Sequence, residues 1–181
     1  MIYFLKAEEQ HQHKNGGGWV ANTAKVEETA YIGPNAQVYD NAWVSGNAWV
    51  SGNAQVYGNA RVSGNARVYG NAQVSGYAWV SGDAQVYGNA QVYGDARVYG
   101  NAWVYGNAWE NSPLYIQGTK HGITNCAYGE IAIGCQVHTF AEWKKNYKAI
   151  GKVAGYTPAQ IKEYAAYIAL ITKLGRKTKS D

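Results

Sequence analysis

Phenylalanine occurs twice and methionine once in 181 residues, so an ordinary layered core of large apolar side chains is poorly supplied. Cysteine is equally scarce. Cys126 and Cys135 fit a reducing compartment and leave room for at most one bridge between them. No apolar run is long: "MIYFLKAEEQ" has five apolar residues before Lys6, too few for a secretory h-region or a membrane span. The expectation is a cytoplasmic protein with no membrane partner. Charge of one sign is also sparse. The net +4 divides into 0 for residues 1–19, −1 for 20–109 and +5 for 110–181. That is no dense basic stripe, and nucleic acid is not an expected partner. Residues 20–109 contain no histidine, no cysteine and no inserted loop; the histidines are His11, His13, His121 and His138.

What is abundant is repetition. Valine or isoleucine recurs every six residues from Val20 to Val104, fifteen times, with alanine two residues before nearly every one. A spacing of two puts Ala and Val on one face of a short strand and turns the residue between them to the other. Gly-Asn then follows, a pair that tolerates positive φ and makes a tight corner. No helix has a period of six. Ala and Val are too small to fill the space between broad sheets, but they suit a narrow prism whose strands aim their valines at one axis.

The unit Val-Tyr-Gly-Asn-Ala-Gln resembles that of the hexapeptide-repeat, left-handed β-helix family. The resemblance implies the handedness and three units per coil, hence about five coils and a prism roughly 24 Å tall at ~4.8 Å per coil. "GGWV" (Gly17–Val20) and "GEIAIGCQVHTFAEW" (Gly129–Trp143) are similar to segments of phage and prophage proteins with Gly-Asn-Ala-x-Val arrays and a GCQxHT-type tail. This implies a viral origin and a host-cell setting, in a family described as acyltransferase-like or uncharacterised. Gly151–Ser180 departs from the acidic, Trp-containing helices expected of that tail.

The expected fold is therefore an all-β solenoid with a small C-terminal strand cap and an α-helical appendage. Residues 1–19 form an N-terminal cap, 20–109 the solenoid, 110–138 the strand cap, and 139–181 a helical pair and basic tail. Thr139-x-x-Glu142 reads as a capping box opening one helix, with Phe140, Trp143, Tyr147 and Ile150 on a stripe. Thr157, Pro158 and Gln160 open a second. Its stripe is Ile161, Tyr164, Ile168 and Ile171, beside another of Tyr167, Leu170 and Leu174. Asn35, Asn53, Asn71, Asn89 and Asn107 stack as a candidate amide ladder.

Sorted by coil, the outward residues fall into columns. The first face carries Gln37, Gln55, Gln73 and Gln91. The second carries Lys25, Trp43, Arg61, Trp79 and Arg97; the third carries Tyr31, Trp49, Arg67, Gln85 and Trp103. Alternating Trp and Arg allow two readings: a self-satisfied cation–π ladder, or a groove beside Ser45, Ser63 and Ser81 that stacks a planar ring and holds phosphate. Trp43, Arg61, Trp79, Arg97, Arg67 and Trp103 are the candidate ligand-binding residues. About a dozen Trp and Tyr rings facing water exceed what monomers ordinarily expose. Tyr57, Tyr69, Tyr87, Tyr105, Ile168 and Leu170 are accordingly expected in an oligomer interface, and the resemblance implies a homotrimer.

An acyltransferase of the resembling kind needs a histidine base, and only His121 or His138 lies where one could serve. The three histidines of a zinc-dependent anhydrase are missing from the solenoid. Cys126, Cys135 and His138 are a poor zinc set at that spacing, so no metal or cofactor is expected. Threonine rows, the mark of an ice-binding surface, are absent, and covered ends oppose fibre formation. The leading reading is a non-enzymatic, trimeric binding protein for a small anionic, nucleotide-like host signal. A hexapeptide-repeat acyltransferase is the alternative, and a structural or scaffold component the third.

Overall fold

The computed structural model describes residues 5–106, 108–109 and 111–176. They form two compact units, divided between Ser112 and Pro113. The first is the expected solenoid. Its strands are only two or three residues long and assemble into three parallel sheets, each joining strands one coil apart. Ala and Val of each repeat point inward and are fully buried from Ala30 to Val104. Coil stacks on coil with an 18-residue register: Gln37 opposes Gln55, Trp43 opposes Arg61, and Trp49 opposes Arg67. Backbone bonds run between coils throughout, as from Gln55 N to Ala72 O (2.9 Å) and Tyr57 N to Val74 O (3.0 Å).

The corners depend on glycine for two reasons at once. Gly52 and Gly70 have φ of 64° and 75°, and a Cβ on Gly52 would lie 2.8 Å from Gly70 O. A side chain would meet both left-handed strain and the next coil's backbone. Asp40 alone among the described non-glycine residues takes positive φ (57°). It occupies the corner position, and its carboxylate accepts from Gly58 N at 3.1 Å. Beside the corners, Asn53 donates to Asn71 and Asn71 to Asn89, each at 3.1 Å. The expected ladder's Asn107 lies outside the described residues.

Both ends of the first sheet depart from the repeat. Gln10–Gln12 pairs antiparallel with Trp19–Ala21 and covers that edge. At the far end Ala108 pairs with Gln91 and Trp109 with Val92, a slip of one residue against the six-residue period. Trp109 thereby takes a valine slot and is 1% exposed. One indole fills the open end of a core otherwise built from valine.

The second unit, from Pro113, is an antiparallel sheet of Tyr115–Gln117, Gly122–Ala127, Glu130–Ile133 and Gln136–Thr139, in chain order. Helices α1 (Phe140–Val153) and α2 (Pro158–Leu174) begin at the two expected capping boxes. Strands and helices share one core: Ile123, Ile131 and Ile133 pack with Phe140, Trp143, Tyr164, Ile168 and Ile171. Ile168, expected in an oligomer interface, is corrected by this packing. It falls on the α2 face of Tyr164 and Ile171 and is 2% exposed, whereas Leu170 on the other face is 45% exposed.

Gly70→Ala should lower the solenoid's stability by at least about 1–2 kcal/mol, the cost of a Cβ in the left-handed region. Asp40→Gly at the equivalent corner should change it by less. Thermal denaturation followed by circular dichroism compares the two.

Candidate functional site

The period-two strand turns the middle residue of each Ala-x-Val outward, so the wall is a grid of columns 18 residues apart. On the second sheet this grid satisfies itself. The Arg61 guanidinium lies 5.6 Å from the Trp43 ring centroid, and that of Arg97 lies 5.9 Å from Trp79. The Trp79 indole N–H donates to Ser63 Oγ at 3.2 Å, so the ring leans across the serine row that would have formed a groove. Both arginines are exposed, and among the described residues no carboxylate pairs with them.

The third sheet is different. Tyr31 and Trp49 stack with centroids 3.8 Å apart. One coil on, Arg67 is exposed beside a depression of about 370 Å³ lined by Trp49, Ser51, Tyr69 and Gln85. Tyr69 donates its hydroxyl hydrogen to Gln85 Oε1 at 3.1 Å, which fixes one wall. Burial raises the Tyr69 phenol's pKa, and the Arg67 charge pulls it the other way. A second depression on Arg67's other flank contains Asp83, whose carboxylate accepts from Asn65 at 3.1 Å. That carboxylate makes the Ser51–Tyr69 flank the better one for an anion. Trp103 follows Gln85 in the column but lines neither depression.

Five tyrosines of the solenoid stack on one another along its edges. Tyr39–Tyr57, Tyr69–Tyr87 and Tyr87–Tyr105 have centroids 4.9, 5.2 and 5.3 Å apart and nearly parallel planes. Tyr57, Tyr69, Tyr87 and Tyr105 are therefore half-buried within their own chain. Among the described solenoid residues the rings most open to water are Trp43, Trp49, Tyr77, Trp79 and Tyr99. Stacking at the coil spacing covers part of the others.

In the second unit His121 lines an apolar cavity of about 360 Å³ between the sheet and both helices. Its backbone is clamped by Tyr164, whose hydroxyl accepts from His121 N and donates to His121 O, both at 2.6 Å. Among the described residues no carboxylate lines this cavity to orient His121. His138 lies elsewhere, edge-on to Trp143 with its Nε2 3.3 Å from Gln136 Oε1. Among the described residues no three His, Cys, Asp or Glu side chains converge. Cys126 and Cys135 are both free thiols, the first buried and the second exposed. Burial pushes the Cys126 thiol up to about 12.

The cavity escaped sequence reading because its lining comes from four separate segments with no shared motif. Trp49 was already legible as the neighbour of Arg67 in the third-face column, whereas Ser51 and the role of Tyr69 as a wall were not.

Residues 36–52, 54–68, 66–82 and 90–106 match the family described as YdcK Beta solenoid repeat. All four stretches lie in the solenoid, and the match agrees with its β-solenoid repeat. No curated protein and no solved structure matches the chain.

Two measurements check this geometry. A double-mutant cycle of Trp79→Ala and Arg97→Gln should return a coupling of about 0.5–1 kcal/mol in thermal stability, as for an exposed cation–π pair. Iodoacetamide at pH 8 should modify Cys135 in the native chain and Cys126 only after unfolding, because a thiol raised by burial supplies almost no thiolate there.

Proposed function

We propose that this chain is a non-enzymatic binding protein that takes a small anionic, ring-containing ligand of the nucleotide type on its third sheet. The observation that carries the reading is the exposed Arg67 guanidinium, without a carboxylate partner among the described residues, sharing with an indole and a phenol a depression of about 370 Å³. Guanidinium supplies charge-assisted, bidentate hydrogen bonds to phosphate, and Trp49 supplies a stacking face. Ser51 Oγ adds a neutral donor on the same flank. Arg61 and Arg97 are secondary in this reading, because each already lies against an indole.

Homotrimeric assembly is part of the proposal. Trp43 and Trp79 are 42% and 39% exposed on the second sheet of one chain, and a seam between copies there would cover them while leaving Trp49 and Arg67 open on the third. A phage setting, with capture of a host signalling molecule as the purpose, rests on the resemblance of Gly129–Trp143 to prophage tails. An acyltransferase would need His121 or His138 to act as base, and among the described hydrogen bonds neither imidazole meets a carboxylate: Glu142, near His138, is engaged by Thr139.

Calorimetric titration with mono-, di- and cyclic nucleotides tests the ligand class. Trp49→Ala should cost roughly 1–3 kcal/mol of stacking with little change in salt dependence. Arg67→Gln should weaken binding by an amount that shrinks as salt rises, and Arg61→Gln and Arg97→Gln should leave affinity near its starting value. Absence of binding across the panel overturns the ligand class. Light scattering that shows a monomer at micromolar concentration overturns the assembly.

A further inference from the structure

We propose that the C-terminal unit carries a separate binding site, the cavity beside His121, for a small neutral aromatic molecule. At about 360 Å³ it lies at the low end of the range for small-molecule pockets. Its walls are mostly apolar and include five rings: His121, Trp143, Tyr147, Tyr156 and Tyr164. Rings of this number, already set edge-to-face where Tyr156 meets Tyr164 (centroids 5.0 Å, 89°), favour another ring over a flexible acyl chain.

The walls are held before any ligand arrives. Tyr164 clamps the His121 backbone, and the Trp143 indole donates to Ile131 O at 2.8 Å. Lys120 Nζ bonds Ala154 O and Gly155 O at 2.8 and 2.9 Å and lies 4.5 Å from the Tyr156 centroid. This pins the turn between the helices to the sheet. A rigid apolar hollow loses little entropy when it is filled, and protein interiors seldom leave that much apolar space unused.

The ligand's charge follows from the lining. Among the described residues no carboxylate lines the cavity to hold a cation. The nearby ammonium of Lys120 is spent on two carbonyls and a ring face, so it offers little to an anion. Tyr156 stays a neutral phenol, its pKa pushed up to about 12, chiefly by burial. What remains is hydrogen bonding at the mouth, where His121, Cys135 and Gln136 can meet one polar group. The solenoid wall, with its exposed guanidinium, calls for an anionic ligand instead of a neutral one, so the two sites differ in the charge they select.

The test uses the full chain with labelled isoleucine methyls, titrated with indole and, separately, with octanoate. Saturable shifts on indole at Ile133, Ile150, Ile161 and Ile168, with Ile32 and Ile116 unmoved, support the site. Octanoate should bind at least tenfold more weakly; tighter binding of octanoate overturns the aromatic assignment. Ala154 lines the cavity and is exposed, so Ala154→Phe should block the mouth and weaken indole at least tenfold. If that variant does not fold, alkylation of Cys135 in the unmodified chain replaces it, and indole should slow the reaction. No saturable shift up to the solubility limit of indole overturns the proposal. So do the same methyls moving with protein concentration alone, which would assign the hollow to a second copy.

Discussion

The inward pairing of Ala and Val at every rung is the constraint on which the solenoid depends. Two side chains of fixed, small size set the distance from strand to axis, and a third small size, glycine at the corner, sets how closely coils stack. Neither can vary without the other. A larger inward residue would open the prism, and a Cβ at Gly52 would strike Gly70 O at 2.8 Å. Trp109 is informative because it breaks the rule where the rule ends. The chain slips by one residue, and an indole replaces the valine that the next coil would have covered.

Once coils stack at one spacing, the outward columns are no longer independent residues. They become neighbours ~4.8 Å apart, close enough for planar groups to stack and for long polar groups to reach one another. Tyrosines at the edges therefore cover each other, and Arg61 and Arg97 lie against the indoles one coil before them. Arg67 escapes this pairing. Its predecessor Trp49 is already stacked on Tyr31, and its successor Gln85 is engaged by Tyr69. A guanidinium is left over by the arithmetic of the column, and it faces a depression.

The second unit obeys different physics. It has isoleucine and aromatic side chains, antiparallel strands and two capped helices, and it closes its own core. Asn125 shows how closely it is tied together. Its buried amide donates to Ala127 O and Glu130 O and accepts from Arg176 N, so one side chain binds a bulged strand to the chain beyond α2. Irregular packing of large rings leaves hollows that a valine prism does not, and the cavity beside His121 is one.

The solenoid was legible in the sequence because its contacts are periodic: whatever lies six residues away shares a role, and whatever lies 18 away touches. Both helix starts were legible for a related reason, since Thr139 with Glu142 and Thr157 with Gln160 are contacts three residues apart. The columns, and the two readings of the Trp–Arg alternation, followed from the same periodicity. Which side chains pair did not, because the second sheet sets Arg97 against Trp79 while the third leaves Arg67 open, and side-chain rotamers and ring stacking decide that. Ile168 could not be assigned to core or seam from its spacing, as α2 carries two adjacent apolar stripes and only the sheet beneath selects one. The slip at Trp109 and the cavity lined by His121, Cys135, Trp143 and Tyr156 belong to the tertiary structure alone. Both bring together residues whose separation in the chain has no period to reveal it.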